Sequence, residues 1–111
     1  MTSSAKAKYL RTSPRKLGRV IKLIRGKKVR EAQALLRFLP QKAARLAASV
    51  LNSAAANALN KEHLKEEELY VAQAYVGPGP TTQRYQPRAR GRMYSIIKRT
   101  AHLTLILEKV A

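Results

Sequence analysis

The chain has 111 residues, 23 of them Lys or Arg against 6 acidic residues, for a formal net charge of +17. Cysteine is absent, which excludes disulfide staples and thiolate metal sites and fits a reducing compartment. So large a charge repels itself within a folded monomer and recruits a polyanion through counterion release, so nucleic acid is the first partner to expect.

In chain order, residues 5–11 (AKAKYLR) set Ala5, Ala7 and Tyr9 against Lys6, Lys8 and Leu10, the alternation of a short strand whose basic face meets solvent or ligand. For residues 1–6 a disordered cationic tail is the alternative. Ser13-Pro14 starts a helix, because Ser accepts a backbone N–H as N-cap and Pro at the first position forfeits no internal bond. The helix is expected to reach about residue 25, with Leu17, Val20, Ile21 and Ile24 as its buried stripe and Gly26 just past its end. Arg15, Lys16, Arg19, Lys22 and Arg25 take the other faces, and with no glutamate among them they form no stabilising pairs. That face is expected to meet phosphate.

A second helix is expected over residues 29–39 and ends at Pro40, with Val29, Ala32, Leu35, Leu36 and Leu39 apolar and Glu31 near its positive end. Residues 41–60 form the strongest helical pattern, with Ala43, Ala47, Val50, Leu51, Ala54 and Ala58 along one side, a nearly flat surface that a sheet can approach closely. Asn52, Asn57 and Asn60 can cap, bond RNA or face water, the last being the default for each taken alone. Glu62, Glu66, Glu67 and Glu68 gather four of the six acids into a solvated connector, turned away from nucleic acid.

From Leu69 the period becomes two. Leu69, Val71, Gln73 and Tyr75 alternate with Tyr70, Ala72, Ala74 and Val76, and later Leu103, Leu105 and Leu107 alternate with His102, Thr104 and Ile106. The residues between are too many for a tight hairpin and unsuited to a structureless loop. They are expected to continue both strands as a two-stranded ribbon of about nine residues each way, roughly 30 Å long, with Pro78, Pro80 and Pro87 at edges and bends. Arg88, Arg90 and Arg92, spaced by two, fall on one face if the tip is extended. Tyr85 and Tyr94 either stack on unpaired bases or pack on each other across the ribbon.

The sequence carries no P-loop, zinc spacing, Gly-x-Ser-x-Gly or carboxylate pair beside a histidine, and His63 and His102 lie far apart. Neither catalysis, a metal nor a cofactor is expected. The N-terminal residues lack an apolar signal segment, and no run approaches the ~18 apolar residues of a membrane span, so a soluble cytoplasmic protein with no membrane partner is expected.

The order strand, Ser-Pro-Arg-Lys helix, Ile-Arg-Gly-Lys (24–27), Lys-Ala-Ala (42–44), Ala-Asn-Ala (56–58), Gly-Pro-Thr (79–81), Pro-Arg-Ala-x-Gly-Arg (87–92) and Lys-Arg-Thr-x-His (98–102) resembles the bacterial large-subunit ribosomal protein L twenty-two family over essentially the whole chain. The resemblance implies an α+β fold in one domain: three helices on a small antiparallel three-stranded sheet (about residues 5–78 and 100–111), with two strands extended into a long protruding β-hairpin (about 79–99). It implies a structural constituent of the large subunit that binds large-subunit ribosomal RNA near the peptide exit, beside neighbouring ribosomal proteins, and is not an independent homo-oligomer. The tip (Arg84, Arg88, Ala89, Arg90, Gly91 and Arg92) would line the exit tunnel and meet the nascent polypeptide. Residue type and resemblance together give an expected RNA-binding set. It comprises Lys6, Lys8 and Arg11; Ser13, Arg15, Lys16, Arg19, Lys22 and Arg25; Lys27 and Lys28; Arg84, Arg88, Arg90 and Arg92; and Lys98, Arg99, Thr100 and His102. Leu39 departs from the family pattern, standing where a small hydroxylated cap of the third helix is usual. The rival reading is an architectural DNA-bending protein whose β-arm enters the minor groove.

Overall fold

Ala101–Lys109 (β5) is the central strand of a three-stranded antiparallel sheet in the computed structural model, which describes residues 2–87, 89–91 and 93–109. Its neighbours are Thr2–Leu10 (β1) and Leu69–Pro78 (β2), in the order β1-β5-β2. Ala101, Leu103, Leu105 and Leu107 are fully buried on one face, as the period-two pattern predicts. In register, Leu105 lies between Ala5 of β1 and Ala74 of β2. Small residues on both flanks leave the leucine to fill the space under the helices.

Three helices cover that face: Pro14–Ile24 (α1), Val29–Phe38 (α2) and Lys42–Glu62 (α3). The expected stripes of α1 and α3 are buried throughout, and α3 lies along β1 and β5. In α2, Val29, Ala32 and Leu36 are buried, while Leu35 and Leu39 are half-buried against the core. Ser13 caps α1, its Oγ accepting from the Lys16 N–H at 3.3 Å. Replacing Ser13 by Ala is expected to lower stability by about 1 kcal/mol, read as a fall in urea midpoint with an unchanged slope. Gly26, at φ 81°, turns the chain so that its N–H donates to Val71 O at 2.9 Å while Lys27 O accepts from the Val71 N–H at 2.9 Å. The connection after α1 thereby covers the outer edge of β2, which would otherwise invite strand pairing.

Two irregularities overturn the simple alternation. In β1, Lys8 and Tyr9 together oppose His102, because Ala7 pairs with Leu103 and Leu10 already pairs with Ala101. Tyr9 takes φ 60° and is 61% exposed, and Leu10 rather than Tyr9 packs on the core. The bulge is held by the Tyr9 N–H donating to His102 Nδ1 at 3.1 Å and by the two rings meeting edge to face at 5.1 Å. In β2 the register slips between Val71 and Gln73, so Ala74 turns inward while Gln73 and Tyr75 face outward. The slip spares the core a buried glutamine. The strand also begins earlier than residue 5, at Thr2, with Ser3 buried and donating to Ala54 O at 3.0 Å.

The N-cap of α3 is Gln41 rather than Leu39, and it makes no side-chain capping bond. The helix runs on to Glu62, closing with His63 at φ 55° and the Leu64 N–H on Ala58 O. Two of the three asparagines have protein partners: Asn57 Nδ2 donates to Ser4 O at 3.1 Å, and Asn52 Oδ1 accepts from Gln33 Nε2 at 3.2 Å. Asn60 is exposed, as expected. The acidic connector forms a short 3-10 turn, Glu66–Glu68, and reaches Arg30 through Glu67 at 2.7 Å and Glu66 at 3.7 Å. At this exposure such pairs contribute little stability.

The arm is a separate two-stranded sheet, Thr82–Pro87 (β3) against Met93–Lys98 (β4), not an unbroken extension of β2 and β5. Gly79 N–H to Thr100 O (2.9 Å) and Thr100 Oγ1 to Pro80 O (2.7 Å) join the two sheets across the break. A side chain at Gly79 would collide with Thr100 Oγ1 and lie 3.1 Å from His102 Cε1, so a glycine is needed there. Six paired residues span about 20 Å, shorter than expected. Even so, the radius of gyration is 17.0 Å and the long axis 64 Å, against about 13 Å for a compact chain of this length.

Candidate nucleic-acid interface

Cations of the expected set gather in two places. The first is a groove along α1, where Arg15, Arg19, Lys22 and Arg25 lie beside Val76 of β2. Spacings of three and four residues bring them to one side of the helix. Arg25 is tied to the sheet, its guanidinium donating to Ala74 O at 2.9 Å. The other three are exposed along the groove.

The second is a cleft at the root of the arm, lined by Arg11, Thr82, Arg84, Lys98, Arg99 and Thr100. It exists because β1 ends beside Ala101 and because β3 and β4 leave the body there, with Thr82 opposite Lys98 in register. Four cations converge on it and, among the described residues, no acid lines either groove. Fixed cations without internal counter-charges suit a chain of phosphates, and the arginine forks suit it most.

The acids lie elsewhere for a topological reason. Thr2, Tyr70 and Glu108 share one row at the end of the sheet opposite Leu10, Ala101 and Pro78. Tyr70 donates to Glu108 Oε2 at 3.0 Å, and that bond, reinforced by the carboxylate's charge, holds the phenol above its ordinary pKa. The 3-10 turn of glutamates leads directly into β2 at the same end. These glutamates thus gather, together with Arg30, Lys28 and Lys109, at the end of the sheet away from the arm root.

Other members of the expected set are dispersed or occupied. Lys6, Lys8 and Lys16 are exposed but line neither groove. Lys27 and Lys28 are exposed at the β2 edge, where their backbone pairs with Val71 and Tyr70. Ser13, Thr100 and His102 hold the fold together through the cap, the arm-root bond and the β1 bulge. The cap was legible from Ser13-Pro14 because its partner is three residues away, whereas the roles of Thr100 and His102 were not, since their partners, Pro80 and Tyr9, are brought up only by the fold.

At the tip, Ala89–Gly91 forms a tight turn with Arg90 at φ 64° and Gly91 at φ 72°. Arg90 is exposed, but the chain there is not extended, so the premise that put three arginines on one face fails at its middle member. Arg88 and Arg92 lie outside the described residues. Tyr85 stands opposite Ser95, and Tyr94 is paired in register with Gln86, so the two tyrosines are not a directly opposed pair. Tyr85 is 64% exposed. Thr82 in the arm-root cleft was missed by residue type, and its position just after Gly-Pro-Thr was the available signal.

Residues 5–108 match the family model described as ribosomal protein L22p/L17e. The large ribosomal subunit protein uL22 of Clostridium novyi (strain NT) is 50% identical over 111 residues, covering all of both chains. That of Carboxydothermus hydrogenoformans is 52% identical over 107 residues, 96% of this chain and 95% of the relative. That of Deinococcus radiodurans is 52% identical over 103 residues, 93% of this chain and 77% of the relative. With a family match over nearly its whole length and half its residues shared with such relatives, the chain belongs to the ribosomal protein L22p/L17e family.

Proposed function

We propose that this chain is a structural component of the large ribosomal subunit, acting in the cytoplasm, that binds large-subunit ribosomal RNA with its body and arm root and lines the nascent-peptide exit tunnel with its arm tip. Its role is structural rather than catalytic, as befits its family. The observation that carries the RNA reading is the pair of cation-lined grooves without acids, one along α1 and one where the arm leaves the body. Arg15, Arg19 and Lys22 would hold one RNA segment, and Arg11, Arg84, Lys98 and Arg99 another. Lys6, Lys8, Lys16, Lys27 and Lys28 add exposed charge around them. Contacts of this kind fix position and carry no base specificity by themselves.

The tunnel reading rests on family membership and on an arm that extends a body of this size to 64 Å, with Arg90 at its turn. Body and arm form one domain with two tasks, the body meeting RNA and neighbouring large-subunit proteins, the tip meeting the nascent polypeptide. Among the described residues β3 and β4 form their own sheet, so removing residues 84–94 leaves the α1 groove whole and takes Arg84 alone from the four cations of the arm-root cleft.

Large subunits assembled with a chain lacking residues 84–94 are therefore expected to retain it at near-normal stoichiometry after sedimentation in high salt. The tunnel wall should change, read as lost crosslinks between the arm and a stalled nascent chain. Failure of the shortened chain to enter the subunit would overturn this division of labour. Co-migration of the intact chain with duplex DNA instead of the subunit would overturn the ribosomal reading in favour of an architectural DNA protein.

A further inference from the structure

We infer that the groove between α2 and α3 is a site for one unpaired RNA nucleotide, its base stacked on Phe38 and its phosphate held by Arg37 and Arg45. The inference rests on the RNA-binding reading above and adds a site that neither the expected residues nor the two basic grooves include.

Phe38 is the one phenylalanine of the chain, the last residue of α2, and the most exposed large apolar side chain among the described residues, at 85%. The fold does not use it: α2 buries Val29, Ala32 and Leu36 instead. An aromatic ring left in water beside two arginines is an arrangement that recurs where proteins take up single bases, because every base offers a π-face and the cations hold its phosphate. Phe38, Arg37 and Arg45 line one open groove of ≈ 670 Å³. That is ample for one nucleotide.

The floor of the groove supplies a polar edge. Gln33 Nε2 donates to Asn52 Oδ1 at 3.2 Å, which orients both amides and leaves Gln33 Oε1 as acceptor and Asn52 Nδ2 as donor for a base. A donor beside an acceptor is the pattern that amide side chains present to adenine. Glu66 is the one acid of the lining, and its carboxylate lies 3.7 Å from Arg30. The balance is cationic, which favours a phosphate-bearing occupant over an apolar peptide. The apolar part of the lining is also too short to seat the anchors of a partner helix, which recur over two turns.

Because the chain has one phenylalanine, isotopic labelling of that residue type reports on this site alone. The full-length protein, labelled in the Phe ring, is titrated with a short oligoadenylate and separately with a blunt RNA duplex at ~0.15 M salt. Stacking is expected to move the ring resonances upfield, saturably, with the oligoadenylate and not with the duplex. Phe38→Leu is expected to weaken oligoadenylate binding about tenfold, leaving duplex binding and the melting temperature unchanged. Ring resonances that stay put while the oligoadenylate binds elsewhere, or that move equally with duplex, would overturn the site and leave the RNA reading intact. A wild-type chain that binds neither RNA would overturn both. A photoreactive phenylalanine analogue at position 38 in assembled large subunits is expected to crosslink to RNA, and crosslinking to protein alone would assign the groove to a neighbouring subunit protein and overturn the proposal.

Discussion

Replacing Arg15, Arg19 and Lys22 together by glutamine is expected to weaken binding to large-subunit ribosomal RNA roughly a hundredfold at ~0.15 M salt. Each phosphate contact contributes about 0.7–0.9 to the slope of log affinity against log salt, so the slope should shrink by about 2–3. Titrations at several salt concentrations measure both. The three side chains are exposed, and glutamine is nearly as good a helix former, so the fold should survive. Relief of repulsion between like charges three and four residues apart should leave the melting temperature unchanged or slightly higher. Arg25 is kept because its bond to Ala74 O would confound the result with lost packing. An unchanged slope would show that this groove meets no phosphate.

Leu105→Ala should act on the other half of the molecule. The side chain is fully buried at the centre of β5, and its cross-strand neighbours are Ala5 and Ala74, neither of which can swell to fill the space. A loss of about 3–5 kcal/mol is expected, the upper part of the range for such truncations. Against a total stability of about 5–15 kcal/mol, that removes a large fraction. Urea unfolding is the direct measurement: the midpoint should fall steeply while the slope stays the same. The arm pairs should contribute little to this transition, since β3 and β4 form their own sheet.

The contrast between these two substitutions follows the contrast between what patterning and fold each control. Leu17, Val20, Ile21 and Ile24 declared their burial by spacing alone, because a helix has one period and one apolar side. The alanine face of α3 and the leucines of β5 were legible in the same way. Tyr9 and Gln73 were not, since a bulge inverts the phase of everything beyond it and depends on a partner strand distant in sequence. His102 is the clearest case. Residue type and family resemblance set it among RNA contacts, whereas in the fold its ring accepts the Tyr9 N–H and holds the β1 bulge.

Periodicity and summed charge, which need no long-range contact, specify a strongly basic helix-and-strand protein with a long basic segment between two strands. The resemblance to large-subunit ribosomal proteins rests instead on the order of short motifs along the chain. Which cations act together was decided only by tertiary structure. Arg11 joins Arg84, Lys98 and Arg99 because β1 ends where the arm begins, and Arg25 is withdrawn from its helix neighbours to the carbonyl of Ala74. The glutamates retreat to the far end because β5 runs antiparallel to both its neighbours. Strand pairing brings together residues as far apart as Thr2 and Glu108, and no local pattern encodes that.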